Sequence, residues 1–422
     1  MAYTVTTNTS YGQRLKNSFS GIGMGFLMLI AGTVLLFWNE GRTVKTTKML
    51  KEADKVCVEL GDIASVNPEM NGKMIHASGF ADTKDVLSDG QFGISLNAVK
   101  LIRNVEFYQW VEHTKTETRD KVGGGQETTT TYTYSKEWVG SPVSTSDFAD
   151  PDYRGIENDV LLNLEDQTWT AQNVNFGAYT FPEGLISQMN NSSPLTVELS
   201  DDVVASYEAE FRKYYKAGET DTFLHPSGNV IYIGLNPNRA EVGDVRVTYS
   251  KVLPGEVSIL AVVNGSTFEK FTAKNGYSMM TLTDGDVSRE NMFATEHAGN
   301  RMTAWILRLI GLLLIYFGLK NIFKIIETLF KVLPFLANIV GMGVNIALFV
   351  VALAWTLIVI ALGWIWYRPL MGILLLAVAG GLIWFFAKKG KEKKDAVAAA
   401  EPAPAVAPVA PEAPAAEPGK EE

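Results

Sequence analysis

The residues with the clearest capacity for chemistry are not those of a soluble enzyme. The chain has no G-x-S-x-G turn, no G-x-x-x-x-G-K-[ST] phosphate loop and no H-E-x-x-H helix. Its four histidines, His76, His113, His225 and His297, are scattered without metal-ligand spacing, so no catalytic residue, metal or cofactor is expected. What stands out is a set of charged and aromatic residues in or beside apolar runs. Arg308 lies about one and a half helical turns into "TAWILRLIGLLLIYFGL". A charge at such depth costs about 2.5–3.5 kcal/mol on insertion scales, so it snorkels to the interface or takes an anionic partner. Glu40 and Arg42 close another apolar run in "NEGR", and Trp364, Tyr367 and Arg368 lie in "GWIWYRPL" between two more. Brought to one depth, these six residues could hold a lipid headgroup or lock helices together. An aromatic belt is the plainer account of Trp364, Trp366 and Tyr367.

The elements that must position them are membrane spans. No charge occurs between Lys16 and Glu40, and Phe19–Trp38 is long enough to cross a bilayer core of about 30 Å as a helix. Arg14 and Lys16 would suit a signal peptide, but the run continues into "WNEGRTVK" without a small-x-small cleavage site, so it reads as a retained anchor. Within it, "GIGMG" (Gly21–Gly25) suits close helix packing better than phosphate binding. The expected order is a cytoplasmic N-terminus over 1–18, span 1 over 19–39, and a non-cytoplasmic domain over 40–302. Span 2 follows over 303–323, then an amphipathic segment on the cytoplasmic membrane surface over 324–343. Span 3 covers 344–366, span 4 covers 370–387, and a basic, then disordered Ala/Pro-rich tail covers 388–422. Lysines at 320, 324, 331 and 388–394 then share one face with Arg14 and Lys16, as the positive-inside rule asks. Few polar residues beyond Arg308, Asn338 and Asn345 lie in the spans, and no repeat is visible, which disfavours a transporter.

The fold class is thus a multi-pass α-helical membrane protein of four spans, with a large, mainly β, α+β domain between spans 1 and 2. "KMIHASGF", "EFYQWVEHT", "TTYTYSKEW", "LTVELS", "NVIYIGL", "DVRVTYSKV" and "EVSILAVV" read as strands. Helices are expected over 45–62, over 200–215, and from about 284 down into span 2. With Cys57 the only cysteine, the domain holds no internal disulfide. The net charge of −9 argues against nucleic acid.

Residues 106–139 form a long hairpin around Gly123-Gly124-Gly125. A turn centred near Gly124 sets Trp110 opposite Trp138 and gathers Tyr108, Trp110, Tyr132, Tyr134 and Trp138 on one face. Arms of about 14 residues reach about 46 Å, and their outer halves carry almost nothing apolar. An isolated two-stranded ribbon is marginal in water, so it is mobile or paired, and its open edges suit a second copy.

With these residues in hand, the chain resembles the transmembrane protein 43 (LUMA) family. The likeness rests on "NEGR", "VKLIRNVEFYQWVE", "YTYSKEW", "EVGDVRV", W-x-x-R (Trp305, Arg308) and "GWIWYRPL", spread over about residues 20–387. It implies four spans, a large non-cytoplasmic domain and self-association, without established catalytic residues. For an animal chain it implies the endoplasmic reticulum and inner nuclear membrane, with lamins and emerin as partners. For a bacterial chain it implies the inner membrane with a periplasmic domain. The expected function is a self-associating scaffold that organises membrane-protein complexes, with membrane lipids and further copies as partners. The alternative is a lipid-headgroup-binding or lipid-modifying membrane protein.

Overall fold

The computed structural model describes residues 2–214, 222–330, 334–365, and, near the C-terminus, 373–374, 377–378, 380–385 and 388. The strands that organise the fold are β1 (Tyr3–Thr9), β2 (Met74–Thr83), β3 (Lys100–Asp120), β4 (Gln126–Val139), β5 (Val245–Val252) and β6 (Gly255–Asn264). Its main helices are α1 (Tyr11–Val56), α2 (Asp201–Tyr214), α3 (Arg289–Phe330) and α4 (Pro334–Ile365).

Two sheets, antiparallel except where Val58–Glu59 runs parallel to β2, build the domain between α1 and α3. The first runs β1-β4-β3-β5 and then through Val230–Ile233 to Leu224–Ser227. Alternation in β5 points Val245, Val247 and Tyr249 into a core with Phe107, Phe211 and Ile231. In the second, β2 and β6 pair centrally, flanked by Val174–Phe176 and Thr267–Glu269, around a core of Ile75, Phe176, Tyr179, Ile259 and Phe268. The segment "LTVELS" is not a strand: Leu195 and Val197 donate singly to the Tyr249 and Gly228 carbonyls beside the short strand Ser192–Pro194.

Three helices are long and apolar enough to cross a membrane, Tyr11–Val56, Arg289–Ile325 and Gly343–Ile365. The helix expected over 45–62 is the unbroken continuation of α1, which ends at Val56. Likewise α3 starts at Arg289 and continues past its apolar part to Phe330, so the lysine-bearing stretch expected on the membrane surface is, that far, the end of α3. The run 370–387 falls largely outside the described residues; those described there are helical. The domain sits on the helices where Met49, Leu50 and Ala53 of α1, with Cys57 just past its end, meet Met74, Leu260, Val262, Met292 and Phe293.

Glycine sets the distance between α1 and α3. A Cβ on Gly25 would lie 2.7 Å from the Gly318 carbonyl oxygen, and one on Gly318 would lie 2.8 Å from the Gly25 carbonyl oxygen. The two backbones touch there, as small residues permit. Of the "GIGMG" glycines, only Gly25 makes this contact.

Candidate functional site

Glu40, on α1 where the apolar run ends, is fully buried at 0% exposure. A carboxylate there is tolerable only with charge and hydrogen-bond partners, and two helices supply them. The Arg308 guanidinium on α3 grips it with two bonds, Nε to Oε1 at 2.7 Å and Nη2 to Oε2 at 2.9 Å. From α4, the Trp364 indole N–H donates to Oε2. Arg308 also lies over two aromatic faces, 4.9 Å from the Trp305 centroid and 5.5 Å from that of Trp364, where cation–π attraction adds to the ion pair. Next to Trp364, a Cβ on Gly363 would come within 2.9 Å of the Glu40 Cβ, so the glycine lets α4 close on the carboxylate. One residue before Glu40, buried Asn39 donates to the Ala304 carbonyl at 3.0 Å.

Of the six residues picked out by chemistry and depth, Glu40, Arg308 and Trp364 come together. Arg42 turns to the other side of α1, into a cavity it shares with Phe37, Lys45 and Trp355. Tyr367 and Arg368 lie outside the described residues. The sequence reading missed Asn39, Trp305 and Gly363 as parts of the cluster. Trp305, three residues before Arg308 and so on the same helix face, was the one with a legible signal.

The ribbon differs from its expectation in register. Gly123 and Gly124 both take positive φ (89° and 83°) in a turn closed by Lys121 N–H to the Gly125 carbonyl at 2.8 Å. Centring on Gly123 pairs Tyr108 with Trp138, so Trp110 faces Lys136 rather than Trp138. Lys136 Nζ sits 5.0 Å above the Trp110 ring. A two-residue shift conserves parity, so the five aromatics still share a face. That face is covered from within the chain. Trp110 and Tyr134 pack on Tyr153, Tyr134 also on Phe148, and Trp138 on Tyr232 and Arg246. Beneath Trp138, the Tyr232 hydroxyl donates to Asp244, whose carboxyl burial pushes up from its ordinary range. The Asn158 side chain clamps Trp110 by both its N–H and its carbonyl.

The outer half of the ribbon gains a third strand from the N-terminus. β1 pairs with β4 from Tyr3↔Tyr132 to Thr9↔Gln126 and leads through the Ser10 cap into α1. Arg14, on the first turns of α1, is buried against the ribbon's tip. It ion-pairs with Asp120 at 2.8 Å and donates to the Gly124 and Gly125 carbonyls at 2.9 and 3.1 Å. Tyr3–Thr9, part of the N-terminus expected across the membrane from the domain, thus shares a sheet with it. The domain grips α1 at Met49–Cys57 and the ribbon's tip grips it at Arg14, so the polar arms run level with Phe19–Trp38. Their reach of about 46 Å equals that of about 31 helical residues at about 1.5 Å each.

A family model described as Transmembrane protein 43 matches residues 107–369, from the ribbon through Arg308 and Trp364. Transmembrane protein 43 of Homo sapiens is 32% identical over 378 residues, which is 87% of this chain and 89% of the relative. The chain belongs to the transmembrane protein 43 family. Transmembrane protein 43 of Rattus norvegicus is 32% identical over 374 residues, covering 86% of this chain and 88% of its own. The Transmembrane protein 43 homolog of Drosophila melanogaster is 28% identical over 398 residues, covering 89% and 96%. No solved structure matches the chain significantly. Membership in the transmembrane protein 43 family and three apolar helices make this an integral membrane protein.

Proposed function

We propose that the chain is a membrane scaffold that self-associates through the open edges of its ribbon sheet. The observation that carries this is the three-stranded unit β3-β4-β1 lying level with the apolar part of α1, with two edges unpaired. On one edge, β3 turns the main chain of Tyr108 toward Gly243 and Asp244, and that of Trp110 toward Asn158. The same alternation leaves Glu112, Thr114, Thr116 and Thr118 facing outward, where no strand pairs among the described residues. On the other edge, β1 pairs only with β4 among the described residues. Lipid-exposed open edges do not persist at hydrocarbon depth. The edges have equal polarity and run in the same direction, so β1 of one copy adds to β3 of the next, head to tail. Such a contact closes into a ring when the rotation allows, with Thr, Lys and Glu side chains toward enclosed water. The spans then surround a sheet that no single copy could keep in a bilayer. The aromatic face, already covered by Phe148 and Tyr153, braces each ribbon rather than joining copies.

Cysteine cross-linking tests this. Thr6 pairs with Thr129, which pairs with Glu117 on the strand beyond. Within one chain, positions 6 and 117 are thus two strand spacings apart, about 9.5 Å, too far for a disulfide. Thr6→Cys combined in turn with Thr116→Cys, Glu117→Cys or Thr118→Cys, oxidised in membranes, should give a ladder beyond dimer for one of these registers. Monomer alone in all three would defeat head-to-tail pairing.

A further inference from the structure

Arg42 is a charged residue whose partners within the chain are missing. Its Nε and Nη2 are buried and donate to no acceptor among the described residues. A buried donor left unmade costs about 1–3 kcal/mol, more when charged, so such nitrogens belong to a site filled by something else. Arg42 lines a cavity of about 660 Å³ between α1 and α4. Its upper rim carries Arg42, Lys45 and Tyr277; its lower walls are Val34, Phe37, Trp355, Ile358 and Leu362. No carboxylate of the described residues lines it. Glu40, two residues from Arg42, already binds Arg308 and Trp364. Among the described residues Lys45 has no ion pair either; its ammonium lies 5.8 Å over the Tyr277 ring.

The cavity therefore grades from cationic to apolar along the helices, in the sense of a lipid standing in the leaflet. The cationic rim lies just beyond Trp38, where the apolar run of α1 ends, and the walls descend beside that run. We infer that this groove is a site for one anionic phospholipid, its phosphate held by Arg42 and Lys45 and one acyl chain laid along Val34, Phe37, Trp355 and Leu362. Turned toward the groove, the guanidinium would give its unpartnered Nε and Nη2 as the paired donors that fit two phosphate oxygens. Free phosphate shares the headgroup chemistry but leaves the walls unused, and those walls are most of the cavity. The site is separate from the Glu40–Arg308 pair, on the other side of α1, and independent of how copies assemble.

Native mass spectrometry of the full chain, released from nanodiscs containing phosphatidylglycerol and phosphatidylcholine, tests it. Wild type should retain one phosphatidylglycerol per chain in preference to phosphatidylcholine. Arg42→Gln should lower that retention by about tenfold or more, Arg42→Lys should lose less, and Arg301→Gln, on the opposite side of the bundle, should change nothing. Since the Arg42 side chain bonds to nothing among the described residues, its variants should keep the wild-type melting profile. Leu362→Trp, which fills the apolar track, should also abolish retention. Equal retention of both lipids, or unchanged retention in Arg42→Gln, would overturn the site. Bound inorganic phosphate sensitive to Arg42→Gln but indifferent to Leu362→Trp would overturn the lipid in favour of a free anion.

Discussion

Removing Arg308 should cost far more than an ordinary surface ion pair, and removing both partners should cost less than removing one. Arg308→Gln leaves the Glu40 carboxylate at 0% exposure with the Trp364 indole as its remaining partner from the cluster. Breaking a buried pair from one side is worth about 3–5 kcal/mol, because a charge remains without its counter-charge. The bidentate geometry, 2.7 and 2.9 Å, and the 13% exposure of Arg308 place this pair at the buried end of that scale. Glu40→Gln strands the guanidinium instead, but Arg308 keeps the Trp305 and Trp364 faces and some solvent, so its loss should be smaller. The double variant Glu40→Gln, Arg308→Gln replaces ion pair by amide pair and should recover about 2 kcal/mol or more relative to Arg308→Gln alone. Reversible unfolding in mixed micelles, followed by tryptophan fluorescence, measures all four proteins, and Trp364 reports locally on the carboxylate. A double variant whose loss equals the sum of the singles would show that the two side chains do not act on each other, and the reasoning would fail.

Four further outcomes follow from the packing. Cys57 is buried, and burial pushes its thiol up to about 12; an impermeant maleimide should leave it unlabelled at neutral pH in the native protein and label it after denaturation. Because that thiol ionises at a higher pH folded than unfolded (about 8.5), its contribution to stability is full below about 8.5 and lost as pH rises toward 12, and Cys57→Ser should flatten the alkaline melting profile. Gly25→Leu or Gly318→Leu should force α1 from α3 and destabilise the bundle by about 1–3 kcal/mol or more, whereas Gly23→Leu, with nothing within 4 Å of its Cβ position, should be neutral in the same unfolding assay. Arg14→Gln should free the ribbon's tip, which hydrogen exchange at Lys121–Gly125 would detect as faster exchange.

The parts of this fold legible in the sequence are those written in periodicity. Val245, Val247 and Tyr249 alternate inward as "DVRVTYSKV" announces, and the helix begun at Arg289 runs uninterrupted because no proline or loop signal stands before the apolar run. Glu40, Arg308 and Trp364 were legible by depth, since a charge in an apolar run needs a counterpart at its own level. The ribbon's register was not, because three consecutive glycines offer three centres and any of them satisfies a tight turn. "LTVELS" misled for a related reason: alternation marks a strand only if an edge is free to receive it, and Ser192–Pro194 already occupies that place on β5. Nor could the partner of Tyr3–Thr9 be read. Its "YTVTTNT" pattern is strand-like, but which polar edge it joins is a matter of where α1 delivers it.

That delivery gives the two clusters one mechanical role. α1 is fixed to α3 at both ends, by Asn39 to Ala304 and Glu40 to Arg308 at one and by Ser18 to Thr328 (2.9 Å) at the other, with the Gly25–Gly318 contact between. Hydrogen-bonded ends and touching backbones leave little freedom for sliding, since a shift of one residue would break all of them together. The ribbon is likewise fixed at both ends, by Asn158 and Tyr153 at the base and by Arg14 at the tip. The open edges of β1 and β3 are therefore held at a constant height relative to the spans. Edge strands that slip in register pair promiscuously; edges held at one height add the same neighbour in the same register every time. On the proposed assembly, the ion pair at Glu40 and pairing through the ribbon would be coupled. Arg308→Gln, by loosening α1, should blur the Thr6–Glu117 cross-link into its neighbouring registers before it abolishes the oligomer. A variant that lost the oligomer while the cross-link register stayed sharp would separate the two.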